Sequence, residues 1–294
     1  MKLVTYSRAG GAGRPGLLVD DQVLDTASLA TRIGWEEEAV ARLTSNRRVL
    51  ELGPERLAEL AAASAAGGEI KLADVRLGPP VPDPEKIICL GLNYIDHAAE
   101  TKIEPPREPM FFCKFANSLV GPSDQIVPPR VAEQVDYEGE LAVVIGSAAH
   151  DVAAEEALAH VAGAMILNDV SARDLQLANP LWTGGKAIDT FAPCGPSLVT
   201  LDELGDLDRL TIRTWVNGEK VQDGSAGSMI FGVAETIAFL SRVMTLVPGD
   251  VISTGTPPGV GLARSPQLFL TEGDSVEVEI EGIGKLANTV AAPR

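Results

Sequence analysis

Apolar positions along this chain fall mostly in short runs broken by Gly, Pro and Asp, a pattern that predicts many strands and few helices. Lys2–Ser7 reads as a strand, and residues 16–19 with 22–24 read as a hairpin turning at Asp20-Asp21. Helical spacing follows over residues 35–43 and 55–66, the second introduced by Gly53-Pro54 and stopped by Gly67-Gly68. Residues 78–84 then carry Pro79, Pro80, Pro82 and Pro84, which force extended backbone. That stretch is the expected boundary between a small β-rich α+β domain, 1–78, and a larger domain, 79–294. Beyond it, strands are predicted at 87–90, 141–145, 164–167, 210–216 and Ser275–Ile280, with helices at 153–161, capped by Asp151, and 233–244. Regular βαβ alternation is missing, so the fold class is α+β.

Composition narrows the chemistry. With 45% hydrophobic and 22% charged residues the chain has ample apolar surface for a core. The balance of 24 Lys+Arg against 41 Asp+Glu gives −17, which repels a phosphate backbone and argues against nucleic acid as a partner. No apolar run has the length of a membrane helix and residues 1–8 lack a signal-peptide core, so a cytoplasmic protein without a membrane partner is expected. Cys89, Cys113 and Cys194 are odd in number and form no C-x-x-C, which suggests neither a disulfide framework nor a thiolate zinc site.

Some motifs dissolve on inspection and others hold. Gly11, Gly13 and Gly16 match G-x-G-x-x-G, but Pro15 and the strand at 17–19 stand where a dinucleotide site needs a helix. Gly184-Gly185-Lys186 lacks the rest of a phosphate loop, and no G-x-S-x-G is present. With His97, His150 and His160 as the only histidines, any metal must rely on carboxylates. His97 and Glu100 lie three apart after a buried strand; a carboxylate there would fix the imidazole tautomer and raise its basicity, although such pairs often merely decorate a helix. In segment 136–140, DYEGE, alternate side chains of a strand share a face, so Asp136, Glu138 and Glu140 are expected to point together. Glu277 and Glu279 repeat that spacing within a simple in/out pattern and read as a solvated edge strand, which is the bland alternative. The first set differs because a second buried strand ends in Asn168-Asp169 and offers another carboxylate. Arg173 and Lys186 are either counterions or receptors for an anion. The loop 253–261, STGTPPGVG, is either a turn or a cradle for a carboxylate.

Taken in order, segments 90–97 (LGLNYIDH), 114–122 (KFANSLVGP), 136–146 (DYEGELAVVIG), 168–176 (NDVSARDLQ), 185–196 (GKAIDTFAPCGP) and 249–261 (GDVISTGTPPGVG) resemble the fumarylacetoacetate hydrolase family, over roughly residues 79–290. The likeness is nearest to its smaller domain-containing-2 members. The resemblance implies a catalytic domain of mixed β-sandwich-roll architecture, commonly a homodimer, behind a small N-terminal domain. It implies Glu138, Glu140 and Asp169 as ligands of Mg2+ or Mn2+, with Ca2+ as a substitute. It also implies His97 and Glu100 as a dyad on a lid and Lys186 beside the metal. Arg173 is read as a substrate-binding cation, and Gln176 and Thr256 match positions that contact substrate oxygens. The family's fourth ligand, an aspartate, aligns with Leu90, which argues against fumarylacetoacetate itself as substrate.

The expected activity is metal-dependent hydrolysis of the carbon–carbon bond of an acylpyruvate-type 2,4-dioxo acid through a pyruvate enolate. The alternative is oxaloacetate keto–enol tautomerisation or decarboxylation by the same enolate chemistry. A non-catalytic ligand-binding protein ranks third, because no implied ligand or dyad position is lost. Acyl-group specificity is expected from residues around 101–110.

Overall fold

In the computed structural model of the chain, residues 1–8, 11–65, 67–68, 70–101 and 104–294 are described. A large sheet runs in the order Ile70–Lys71, Gln22–Asp25, Arg14–Val19, Lys2–Ser7, Ala192–Thr200, Val161–Asn168, Gly139–Ile145, Val251–Ser253, Ile87–Gly91 and Met110–Lys114. Arg76–Gly78 adds to Lys2–Ser7, and Leu119–Val120 adds to Ala192–Thr200. A second sheet runs Glu219–Ser225, Thr211–Val216, Ser275–Ile280, Gly284–Val290 and Gln125–Ile126. The whole is a mixed α+β sandwich roll. Lys2 and Leu3 pair with Val199 and Leu198, so the large sheet is continuous across the proline-rich stretch at 78–84.

The strand Gly139–Ile145 shows why its apolar run is unbroken. Leu141, Val143 and Ile145 face Val278, Ile280 and Leu286 of the second sheet and Ile237 and Leu240 of helix Val233–Val243. Ala142 and Val144 face the opposite way, toward Leu3, Leu17, Leu29 and Leu50. Both faces of this strand are core, so alternation disappears. Each of its buried Leu, Val and Ile side chains contributes about 1.5–3 kcal/mol over its exposed state.

Several elements depart from the sequence expectation. The helix expected at 35–43 is only Glu37–Ala41: its N-cap, Glu36, makes no side-chain capping bond and none of its residues is buried. Two short helices, Thr26–Arg32 and Asn46–Leu50, are not foreshadowed by the apolar pattern; side-chain caps at Asp25 and Ser45 start them. The helix expected at 55–66 spans Pro54–Ser64, and its expected end at Ala66 lies outside the described residues. The helix expected at 153–161 is one turn, Ala154–Ala157, followed by a 3-10 turn at Leu158–His160, and Val161 already belongs to a strand. Asp151 does not cap it: that residue sits at φ 51° and the cap position is Ala153. Ser275–Ile280 is flanked on both sides in its sheet, so Glu277 and Glu279 lie on a solvated face but not on an edge; they pair with Lys285. No helix among the described residues is long and apolar enough to cross a membrane.

Candidate active site

Two neighbouring strands assemble the acidic centre through their register. Gly139 pairs with Asn168, which sets the residue before one beside the residue after the other: Glu138 beside Asp169. Asp169 N–H donates to the Glu138 carbonyl at 2.9 Å, and Glu138 N–H donates to Asn168 Oδ1 at 3.0 Å. Glu140 follows at strand spacing on the same face as Glu138. One carboxylate oxygen from each of Glu138, Glu140 and Asp169 lies within 4.8 Å of the others, and all three residues are buried. Gly139 between them is required by space, because a Cβ there would come within 2.3 Å of Thr214 Oγ1.

Asp136 does not join them. It ends the separate strand Val135–Asp136, and Tyr137 and Glu138 belong to no strand before the next one begins at Gly139. Its carboxylate instead takes Arg173 Nε at 2.8 Å and the backbone N–H groups of Gly261 and Leu262 at 2.7 and 2.9 Å.

Cations are spread through the cluster. Lys186 Nζ lies 2.7 Å from both Glu138 Oε2 and Asp169 Oδ2, and 5.1 Å above the Phe112 ring. Lys114 Nζ donates to Asp169 Oδ1 at 2.5 Å and to the Val170 carbonyl at 3.0 Å. Arg173 NH2 is 2.7 Å from Glu138 Oε1, and its NH1 donates to Gln176 Oε1 at 3.0 Å. Arg173 is therefore committed to the protein's own carboxylates, and Gln176 has its amide oriented with the carbonyl toward Arg173. Lys114 is the site residue that sequence reasoning misses. It opens the 114–122 motif but carries no role there, and the strand Met110–Lys114 carries it inward to 1% exposure.

The loop after Val251–Ser253 does cradle a carboxylate, and it is the protein's own. Ser253 Oγ donates to Glu140 Oε2 at 2.5 Å and Gly255 N–H donates to the same oxygen at 3.0 Å. The Thr256 hydroxyl donates to the Gly139 carbonyl at 3.0 Å and accepts from Gln222 Nε2 at 2.8 Å, so its hydrogen is already in use.

His97 Nδ1 lies 3.3 Å from Glu100 Oε2 on the helix Ile95–Thr101. Glu100 is held in turn by Gly259 N–H, at 3.0 and 3.1 Å from its two oxygens. Gly259 sits at φ +110°, and a Cβ there would meet the Val221 carbonyl at 2.0 Å, so only glycine brings this N–H into place. His97, Glu138, Glu140, Arg173, Gln176, Lys186 and Thr256 line one cavity of about 100 Å³, walled by Phe112, Leu177, Trp182 and Leu262. Asp169, fully buried, is not among the lining residues. A larger cavity of about 620 Å³ lies elsewhere, around Arg14, Asp25 and Arg32, away from the carboxylates. Lys102 and Ile103, within the expected specificity segment, lie outside the described residues.

Electrostatics separate the two glutamates. Burial works to raise Glu138, but the Lys186 ammonium and the Arg173 guanidinium override it and hold the carboxyl well below the usual range. Burial, with Asp169 and Glu138 beside it, holds Glu140 well above that range. For Lys186 burial favours the neutral amine, yet Asp169 and Glu138 outweigh it and raise its value, so it stays an ammonium ion. Three carboxylates without nitrogen or sulfur donors suit a hard divalent cation, and the raised Glu140 is what such a cation would reverse. Mn2+ binding is accordingly expected to release a proton. Calorimetric heats should differ between two buffers of unlike ionisation enthalpy, and affinity should rise with pH; equal heats would contradict it. The stability sign follows: a carboxyl raised in the fold favours folding at low pH, and that contribution is lost as pH climbs from the ordinary carboxylate range toward the raised value.

The family model described as fumarylacetoacetate (FAA) hydrolase C-terminal matches residues 86–291. The human protein named oxaloacetate tautomerase FAHD2A, mitochondrial, is 48% identical over 220 residues, covering 74% of this chain and 70% of that protein. The solved 5-carboxymethyl-2-hydroxymuconate delta-isomerase from Mycobacterium smegmatis is 32% identical, with a TM-score of 0.77 and full coverage of both chains. The solved maleylpyruvate hydrolase from Sphingobium sp. SYK-6 is also 32% identical, with a TM-score of 0.81, covering 99% of this chain and 100% of the other.

Proposed function

Because this chain belongs to the fumarylacetoacetate hydrolase family of enzymes, we propose that it interconverts the keto and enol forms of oxaloacetate. The observation that carries this is the buried Glu138, Glu140 and Asp169 triad, whose two glutamates share a small cavity with His97. The kinship at 48% identity to a named oxaloacetate tautomerase favours this reading over acylpyruvate hydrolysis. Glu138, Glu140 and Asp169 would hold Mg2+ or Mn2+, with Ca2+ as a substitute, and such an ion would supply Lewis-acid charge beside the oxo acid's oxygens.

The chain's own groups then divide the work. Glu100 holds His97 through Nδ1, and the imidazole takes a proton from C3 of the keto acid. Electrons move from that C–H bond into the C2–C3 bond, and negative charge gathers on the C2 oxygen. The Lys186 ammonium stands ready for that charge without reorganising. The imidazolium returns the proton to the C2 oxygen, giving the enol with no water consumed. Gln176, its carbonyl tied to Arg173, presents N–H donors to a substrate carboxylate. Phe112, Trp182 and Leu262 keep bulk water from the carbanion.

A second reading, hydrolysis of an acylpyruvate by a water that His97 deprotonates, is favoured by the likeness to the maleylpyruvate hydrolase. Oxaloacetate and acylpyruvates followed by enol absorbance, with Mg2+ or Mn2+, separate the two. The tautomerase reading expects oxaloacetate to reach its keto–enol equilibrium faster, with no new acid and no CO2. CO2 release would assign decarboxylation, and new acid from an acylpyruvate with oxaloacetate unaffected would assign hydrolysis. Mitochondrial location belongs to the human relative's name; for this chain the cytoplasmic place and the homodimer stay part of the proposal.

A further inference from the structure

We propose that Asp136 is a positioning residue of this site, one carboxylate that holds in register both the arginine bracing Glu138 and the loop bracing Glu100. Its activity arm rests on the tautomerase reading; its binding and exchange arms do not.

Asp136 is 0% exposed, and donors converge on it from three segments. Oδ1 accepts from Tyr137 N–H at 2.8 Å and Gly261 N–H at 2.7 Å. Oδ2 accepts from Leu262 N–H at 2.9 Å and Arg173 Nε at 2.8 Å, with Arg173 NH2 also 2.8 Å away. Arg173 passes the constraint on, with NH2 at Glu138 Oε1 and NH1 at Gln176 Oε1. The loop passes it the other way: two residues before Gly261, the Gly259 N–H holds both oxygens of Glu100, the partner of His97. A Cβ at Gly261 would fall 2.6 Å from Asp136 Oδ1 and 1.8 Å from the Leu268 carbonyl, so glycine is what lets the loop close on this carboxylate. Glu138 and Glu140 of the acidic centre and His97 of the dyad line one cavity, and Asp136 is a point from which both groups are held. Only a carboxylate can accept on both sides. An asparagine has one accepting oxygen, and its NH2 would meet either the guanidinium or the loop N–H groups, donor against donor.

The test compares Asp136→Asn with Asp250→Asn in the full chain. Asp250 is equally buried, accepts from Lys86 and Val247 N–H at 3.0 and 2.8 Å and pairs with Lys86 Nζ. It sits at the far end of strand Gly139–Ile145, where Ile145 N–H donates to its carbonyl. Both variants should lose thermal stability. Asp136→Asn alone should lower kcat for oxaloacetate about 10- to 100-fold with a smaller change in KM, and weaken binding of Mn2+ alone about 10-fold. Asp250→Asn should leave kcat and Mn2+ affinity unchanged. Wild-type kcat and Mn2+ affinity in a folded Asp136→Asn, or equal losses in both variants, would overturn the proposal. If Asp136→Asn does not fold, amide exchange in the wild type decides: Mn2+ alone should slow exchange at Gly259, Gly261 and Leu262, and unchanged exchange there would overturn it. A wild-type protein inactive on oxaloacetate would sink the tautomerase reading, while Mn2+ affinity and amide exchange would still decide the role of Asp136.

Discussion

Lys186→Met is expected to lower kcat for oxaloacetate enolisation by about 10²–10³-fold, the scale of losing one pre-placed donor at a developing oxyanion. Methionine, one atom shorter, keeps most of the apolar stem and its packing near Phe112 while removing the charge. Two consequences should appear together. The transition state loses its ammonium ion, and Glu138 and Asp169, which share Nζ at 2.7 Å each, lose the cation between them. Breaking a buried pair in this way costs about 3–5 kcal/mol, so the variant should melt earlier without a divalent ion, and added Mn2+ should recover part of that stability. The check is initial rate at saturating oxaloacetate beside thermal melts with and without Mn2+. A variant within about threefold of wild type would remove Lys186 from the chemistry and leave it as a counterion.

His97→Asn should cost about 10²–10⁴-fold in kcat, the range for removing a positioned acid–base group. Asparagine keeps a polar side chain but has no nitrogen that takes up a proton near neutral pH. Binding of Mn2+ alone should be unchanged, because His97 stands on helix Ile95–Thr101 and is not one of the clustered carboxylates. Glu100→Gln should give a smaller loss in the same direction, since an amide still reaches Nδ1 but no longer holds it with charge. Oxaloacetate deuterated at C3 probes the proton step itself: wild type should show a primary isotope effect on enolisation. Full activity in His97→Asn would transfer that step to another group.

What can be read from the sequence follows physical range. The triad is legible because Glu138 and Glu140 are at strand spacing and Asp169 ends the adjacent apolar run; local periodicity and one antiparallel register suffice to bring them together. Asp136 breaks that rule, since the strand is interrupted at Tyr137 and Glu138, and periodicity carries no mark of such a break. Lys114 is not legible as part of the centre. It comes from the last strand of the large sheet, 55 positions before the carboxylate it meets, and nothing in its own neighbourhood says that it faces inward. The composition of the loop at 253–261 points to a carboxylate cradle, but only the structure shows that Glu140 already occupies it. Helix length is overestimated at 35–43, where Trp35, Val40 and Leu43 all reach the core but only residues 37–41 are helical, so apolar periodicity there reports core contact and not helix length.

Glu138, Glu140 and Asp169 are proposed to act together as one divalent-cation site, and every catalytic role above depends on it. Titration of the chain with Mn2+, followed by electron paramagnetic resonance of the free ion, tests this without reference to any substrate. Wild type should take up one Mn2+ per chain, Glu138→Ala should lose that uptake, and Mg2+ should compete. No uptake by the wild type, or unchanged affinity in Glu138→Ala, would contradict it.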